Sequence, residues 1–196
     1  MAAAKSFQPQ KGDALVLVDV QNDFLPGGSL AVGRGDEILP VLNQWITTFE
    51  NAELPIFATR DWHPPDHSSF KERGGIWPVH CVAETHGANF SPELQLSPNV
   101  SIVSKATVAD SDAYSGFEGT DLNDRLKLHG VRRLFVGGLA TDYCVLNTVR
   151  DALKHDYEVV LLEDGIRAVN VQPDDGQKAL DEMKSLGATP LSSTPA

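Results

Sequence analysis

Five short apolar runs divide the chain: ALVLVDV (Ala14–Val20), LPIFATR (Leu54–Arg60), VSIVSK (Val100–Lys105), RRLFVGG (Arg132–Gly138) and YEVVLLED (Tyr157–Asp164). They are rich in β-branched residues and nearly continuous rather than alternating, the pattern of strands buried on both faces. Amphipathic segments lie between them. DEILPVLNQWITTFENA sets Ile38, Val41, Leu42, Trp45 and Phe49 at helical spacing, with Pro40 in the first turn, where its missing N–H is tolerated. TDLNDRLKLHG opens on a capping residue and closes on Gly130. TDYCVLNTVRDALKHD and PDDGQKALDEMKSLG complete the helices, and ATPLSS offers a last edge strand. Strand alternating with helix predicts an α/β fold: a three-layer α/β/α domain around a mainly parallel sheet of about six strands. No linker, repeat or low-complexity tract interrupts it, so one domain is expected over residues 1–196, with its core at about 14–193.

Two connections are longer than a connector needs, from Asp61 to about Pro98 and from Ala106 to about Gly119. Long loops in compact α/β domains usually carry function, and open parallel sheets build sites at the carboxyl ends of their strands. Those ends bear Asp19, Arg60-Asp61, Lys105 and the GLATDYC turn that leads to Cys144.

Each of these residues admits two readings. At the start of a helix, with Thr141 or Asp142 as cap, Cys144 meets unsatisfied amides and the positive end of the macrodipole, which favour a thiolate. Otherwise it is a small apolar filler. Asp19 ends a wholly apolar strand and needs a partner there. Lys105 can be that partner, and the pair either receives the thiol proton or is a structural ion pair. In DWHPPDHSSF and WPVHC, Asp61, His63, His67 and His80 offer a carboxylate and imidazoles suited to Zn(II), Fe(II) or Mn(II). Cys81 is either a soft ligand or packing.

Composition narrows the field of partners. The 196 residues are 41% hydrophobic and carry 16 basic against 27 acidic side chains, a formal net charge of −11. That balance disfavours non-specific nucleic-acid binding and attraction to anionic membranes. Two cysteines are too few for a disulfide framework. MAAAKSFQPQKGD lacks a continuous apolar core of signal-peptide length, and no stretch reaches bilayer-spanning length, so a cytoplasmic location is expected.

Taken together, LVDVQNDFLPGGSLAV, TRDWHPPDHSSF, WPVHCV, SKATVADSDAYSGF, GLATDYCVLNTVRDAL and DGIRAVN resemble the isochorismatase-like cysteine hydrolases, in their nicotinamidase/pyrazinamidase branch. The resemblance runs from Ala14 to about Ala188, in the family's order. It implies a catalytic triad of Asp19, Lys105 and Cys144, and one divalent metal ion (Zn, Fe or Mn) on Asp61, His63 and His80. His67 or Glu72 would be an additional ligand. It implies a ring pocket lined by Phe24, Leu30, Trp77 and Tyr114. It also implies a cis Leu139–Ala140 peptide that aims the Ala140 amide, with that of Cys144, at an oxyanion. Ala106 departs from the glycine that many relatives have after the lysine. The implied activity is hydrolysis of nicotinamide, and of pyrazinamide, in NAD salvage, with homo-oligomer formation left open. Three other readings stand beside it: an amidohydrolase for carbamoyl or ureido substrates, a metal-hydroxide hydrolase in which Cys144 only packs, and a non-catalytic binding module.

Overall fold

A computed structural model describes residues 8–192; the remaining ends of the expected domain, 1–7 and 193–196, lie outside the described residues. The strands are β1 (Asp13–Val18), β2 (Ile56–Asp61), β3 (Ser101–Lys105), β4 (Arg133–Leu139), β5 (Glu158–Arg167) and β6 (Thr189–Leu191). The helices are α1 (Leu39–Asn51), α2 (Leu122–Leu128), α3 (Leu146–Lys154) and α4 (Asp175–Ser185). All strand pairings are parallel, in the order β3-β2-β1-β4-β5-β6. The winding therefore reverses between β1 and β4, and the crevice beyond their carboxyl ends is where such sheets bind ligands.

The continuous apolar pattern of β1 follows from its central place. Leu15 and Leu17 pack toward α1, with Trp45, Phe49 and Phe135. Ala14, Val16 and Val18 pack on the opposite face, toward Leu122 and Leu126 of α2, Val149 of α3 and Met183 of α4. One helix on one face and three on the other complete the three layers.

Several strand ends differ from the apolar runs, and for two of them the structure shows why. β1 stops at Val18 rather than Val20, because Asp19 adopts φ +48° and turns the chain out of the sheet. β5 continues to Arg167, through an irregularity that shifts its register against β4 between Val136 and Gly138. Pro40 lies in the first turn of α1, and Gly130 closes the α2 segment at φ +64°.

Candidate active site

Lys105 ends β3, the edge strand, in register with Asp61 at the end of β2. A long side chain is needed to reach past β2 toward β1, and lysine has one. Its Nζ lies 3.0 Å from Asp19 Oδ2, 3.4 Å from Cys144 Sγ and 3.1 Å from the Ala113 carbonyl, and it also donates to Asp61 Oδ1. Asp19 Oδ1 accepts from the Thr59 hydroxyl at 2.7 Å. Ligating atoms of Asp19, Asp61 and Cys144 all fall within 4.8 Å of one another. Three strand ends and one turn thus meet around a single ammonium.

Burial governs the proton equilibria here. It raises the Asp19 carboxyl above its usual range, against the pull of Lys105. It also pushes the Cys144 thiol well above its ordinary value, again against Lys105. Burial alone would lower Lys105, but Asp19 and Asp61 outweigh it and hold the ammonium charged. The expected thiolate at a helix start gives way to a protonated resting thiol beside a carboxylate of enhanced basicity. The capping expectation changes too. Thr141–Val145 form a π-helical turn ahead of α3, Ala140 is the N-cap, and no side chain caps it. The Asp142 carboxylate accepts instead from the amides of Val169 and Asn170 at 2.9 and 2.8 Å, because the loop after β5 folds over that turn. The Leu139–Ala140 peptide is cis.

Asp61, His63 and His80 each offer one ligand atom, all within 4.8 Å of one another and all buried. His63 Nδ1 lies 3.1 Å from the Ala106 carbonyl and His80 Nδ1 lies 2.8 Å from the Pro78 carbonyl. A carbonyl can only accept, so both rings carry hydrogen on Nδ1 and present a bare Nε2. His63 Nε2 has no hydrogen-bond partner among the described residues and sits 3.7 Å from Asp61 Oδ2. Burial, followed by His80 and His67, lowers the His63 pKa to about 3, so the ring is neutral and its lone pair available. A buried carboxylate with two neutral imidazoles of fixed tautomer fits a divalent transition metal.

His67 stacks on His63 with ring centroids 4.1 Å apart, but its nitrogens face Ser69 Oγ at 2.8 Å and the Ser111 carbonyl at 3.2 Å. It stands outside the ligand trio. Glu72 lies exposed in the short 3-10 turn Lys71–Arg73. Cys81 is buried beside His80, its backbone N–H held by Asp23 Oδ2 at 2.7 Å.

Phe24, Leu30, Trp77 and Tyr114 line a narrow slot, which Asp61, His80, Ala140 and Cys144 also border. Trp77 Nε1 donates to the Tyr114 hydroxyl at 2.9 Å, joining the two long loops. Tyr143 and Val169 line the slot as well, without having been singled out by the sequence reading. Tyr143 meets Trp77 edge-on at 4.9 Å. Its signal was its place in TDYC, beside the cysteine. Thr59, Gln21 and Asp23 were also missed, the last two within VDVQNDF.

The isochorismatase domain model matches residues 13–195. A nicotinamidase of Escherichia coli (strain K12) is 40% identical over 197 residues, covering 90% of this chain and 92% of that protein. The structure of a Pyrococcus horikoshii pyrazinamidase in complex with zinc aligns with TM-score 0.89 and 49% identity, covering 93% of this chain and 99% of that one. L. infantum PnC1 in complex with nicotinate aligns with TM-score 0.86 and 36% identity, covering 94% of each chain.

Proposed function

The chain belongs to the isochorismatase domain family, and we propose that it hydrolyses nicotinamide, and pyrazinamide, to the ring carboxylate and ammonia through a thioester on Cys144. The observation that carries this reading is that Cys144 borders an aromatic slot while its sulfur lies 3.4 Å from Lys105 Nζ, with the Asp19 carboxylate alongside. Nucleophile, base and orienting charge then meet where a flat amide can enter.

On this reading Phe24, Trp77, Tyr114 and Tyr143 hold the ring and exclude water. Asp19 takes the thiol proton as sulfur attacks the carboxamide carbon, and the amides of Ala140 and Cys144 receive the developing oxyanion. The C–N bond then breaks, and Asp19 passes its proton to the departing amine, which leaves as ammonia. Asp19 next takes a proton from water as the water oxygen attacks the thioester. The sulfur leaves beside Lys105 and recovers the proton from Asp19. Lys105 stays charged throughout, offsetting the carboxylates and the leaving thiolate.

A divalent ion held by Asp61, His63 and His80 would supply a Lewis-acid site for a ring nitrogen, fixing the ring's orientation. His67 is left out of that set because both of its nitrogens bond elsewhere. The reaction is assigned to cytoplasmic NAD salvage.

The test is ammonia release from a panel of amides, each with and without a chelator. Nicotinamide and pyrazinamide should be the fastest substrates. Preference for carbamoyl or ureido compounds would overturn the assignment.

A further inference from the structure

β1 leaves the sheet before its neighbour β2 does. Their last register pair is Val18 with Thr59. Asp19 then gives its amide to the Thr59 carbonyl at 3.1 Å and turns away. In a parallel strand the main-chain groups that face one neighbour recur at every second residue. The next N–H and C=O of β2 directed at β1 are therefore those of Asp61, and β1 no longer runs beside them.

The side chain of Gln21 occupies that place. Its Oε1 accepts from the Asp61 amide at 2.8 Å, and its Nε2 donates to the Asp61 carbonyl at 2.8 Å. The same Nε2 donates to the Ala88 carbonyl at 2.8 Å, in the loop that follows His80. The side chain is fully buried, and both of its N–H donors are used. On the opposite edge the Trp62 amide bonds the Lys105 carbonyl at 3.1 Å. Asp61 is thus clamped from both sides, and its two carboxylate oxygens divide their work. Oδ1 receives Lys105, while Oδ2 faces His63 Nε2 at 3.7 Å.

We infer that Gln21 is a positioning residue: its carboxamide replaces the missing strand and holds Asp61 so that one carboxylate serves both Lys105 and the histidine pair. The inference deepens the proposed function and rests on reading Asp61, His63 and His80 as metal ligands. Groups that orient a metal's ligands typically govern about 10- to 100-fold in affinity. A residue that merely fills hydrogen bonds would alter stability and leave metal affinity alone.

The experiment measures the Zn(II) dissociation constant of the purified chain against a chromophoric chelator, together with the ligand-field spectrum of the Co(II) form. Gln21→Met removes all three hydrogen bonds at similar length, and Gln21→Glu keeps an acceptor for the Asp61 amide. Asn22→Ala is the control, since Asn22 Nδ2 bonds the His86 carbonyl at 2.9 Å in the same loop without touching Asp61. Zn(II) should bind about 10- to 100-fold more weakly to Gln21→Met, less weakly to Gln21→Glu, and normally to Asn22→Ala. The Co(II) spectrum should change only in the Gln21 variants. If Gln21→Met fails to fold, Gln21→Glu against Asn22→Ala decides the matter. Native affinity and spectrum in folded Gln21 variants would overturn the inference, as would equal weakening in Asn22→Ala. A wild-type chain that binds no Zn(II) would instead overturn the metal reading beneath it.

Discussion

Lys105 Nζ stands 3.0 Å from Asp19 Oδ2, with both side chains fully shielded from solvent. Yet that oxygen makes no hydrogen bond among the described residues, whereas Oδ1 is held by Thr59. The lysine attracts Oδ2 by charge without occupying it in hydrogen-bond geometry. One oxygen is anchored and the other is open, a few ångströms from the Cys144 sulfur. That arrangement gives a base a direction, and the first three predictions test it.

Cys144→Ala should lose amide hydrolysis by at least about a thousandfold, since removing a nucleophile disables the residues that act with it. Nicotinamide binding should persist, because the aromatic walls of the slot are untouched. Mass spectrometry of quenched wild-type turnover should find an acyl adduct on Cys144. Wild-type-like activity in the alanine variant would end covalent catalysis as an explanation.

Lys105→Met should move the alkylation of Cys144 to higher pH. Burial already raises the thiol and the Asp19 carboxyl, and Lys105 is the group that opposes it at both. Removing the cation therefore raises both further. Iodoacetamide trapping across a pH series measures this directly, and an unchanged profile would mean that lysine and thiol are uncoupled.

The same variant should lose stability in a pH-dependent way. Taking one partner from a buried ion pair costs about 3–5 kcal/mol, because a charge is left without compensation. Here Asp19 can escape by binding a proton. Its folded pKa, already raised by burial, would rise again without Lys105. A folded carboxyl that keeps a proton released by the unfolded chain loses stability as pH climbs from the ordinary carboxylate range to the raised value. Urea midpoints of Lys105→Met should therefore fall further below wild type at pH 8 than at pH 5. A gap independent of pH would place the damage in packing rather than charge.

Much of this was legible in the chain because burial on both faces makes central strands read as apolar runs, and an ionisable residue at the end of such a run stands out. Asp19 and Lys105 were visible for that reason, and Cys144 by its place at a helix start in the turn after the fourth run. The second role of Asp61 was not, since its register with Lys105 is a tertiary fact and its spacing suggested only the histidines. Gln21 was hidden more deeply. Its partner lies 40 residues away and is main chain, which carries no side-chain signal. Asp142 misled because its position suits a helix cap, but the amides of Val169 and Asn170 hold it instead. Tyr143 and Val169 became pocket walls only when distant segments met.

The last prediction separates a metal that positions the ring from one that makes hydroxide. Asp61, His63 and His80 should bind about one metal ion per chain, as three-ligand open sites do. If that metal positions the ring, His63→Ala should lose it and mainly raise KM for nicotinamide. Cys144 should remain alkylated at close to its native rate, since His63 has no hydrogen bond to the thiol. Benzamide, which has no ring nitrogen to ligate, should then be hydrolysed slowly and at the same rate with or without chelator. If the metal makes hydroxide, chelation should stop every amide, benzamide included. Loss of a measurable benzamide rate on chelation would therefore retire the thiol as attacking group, whereas a poor but metal-independent rate assigns bond cleavage to Cys144 and orientation to the metal.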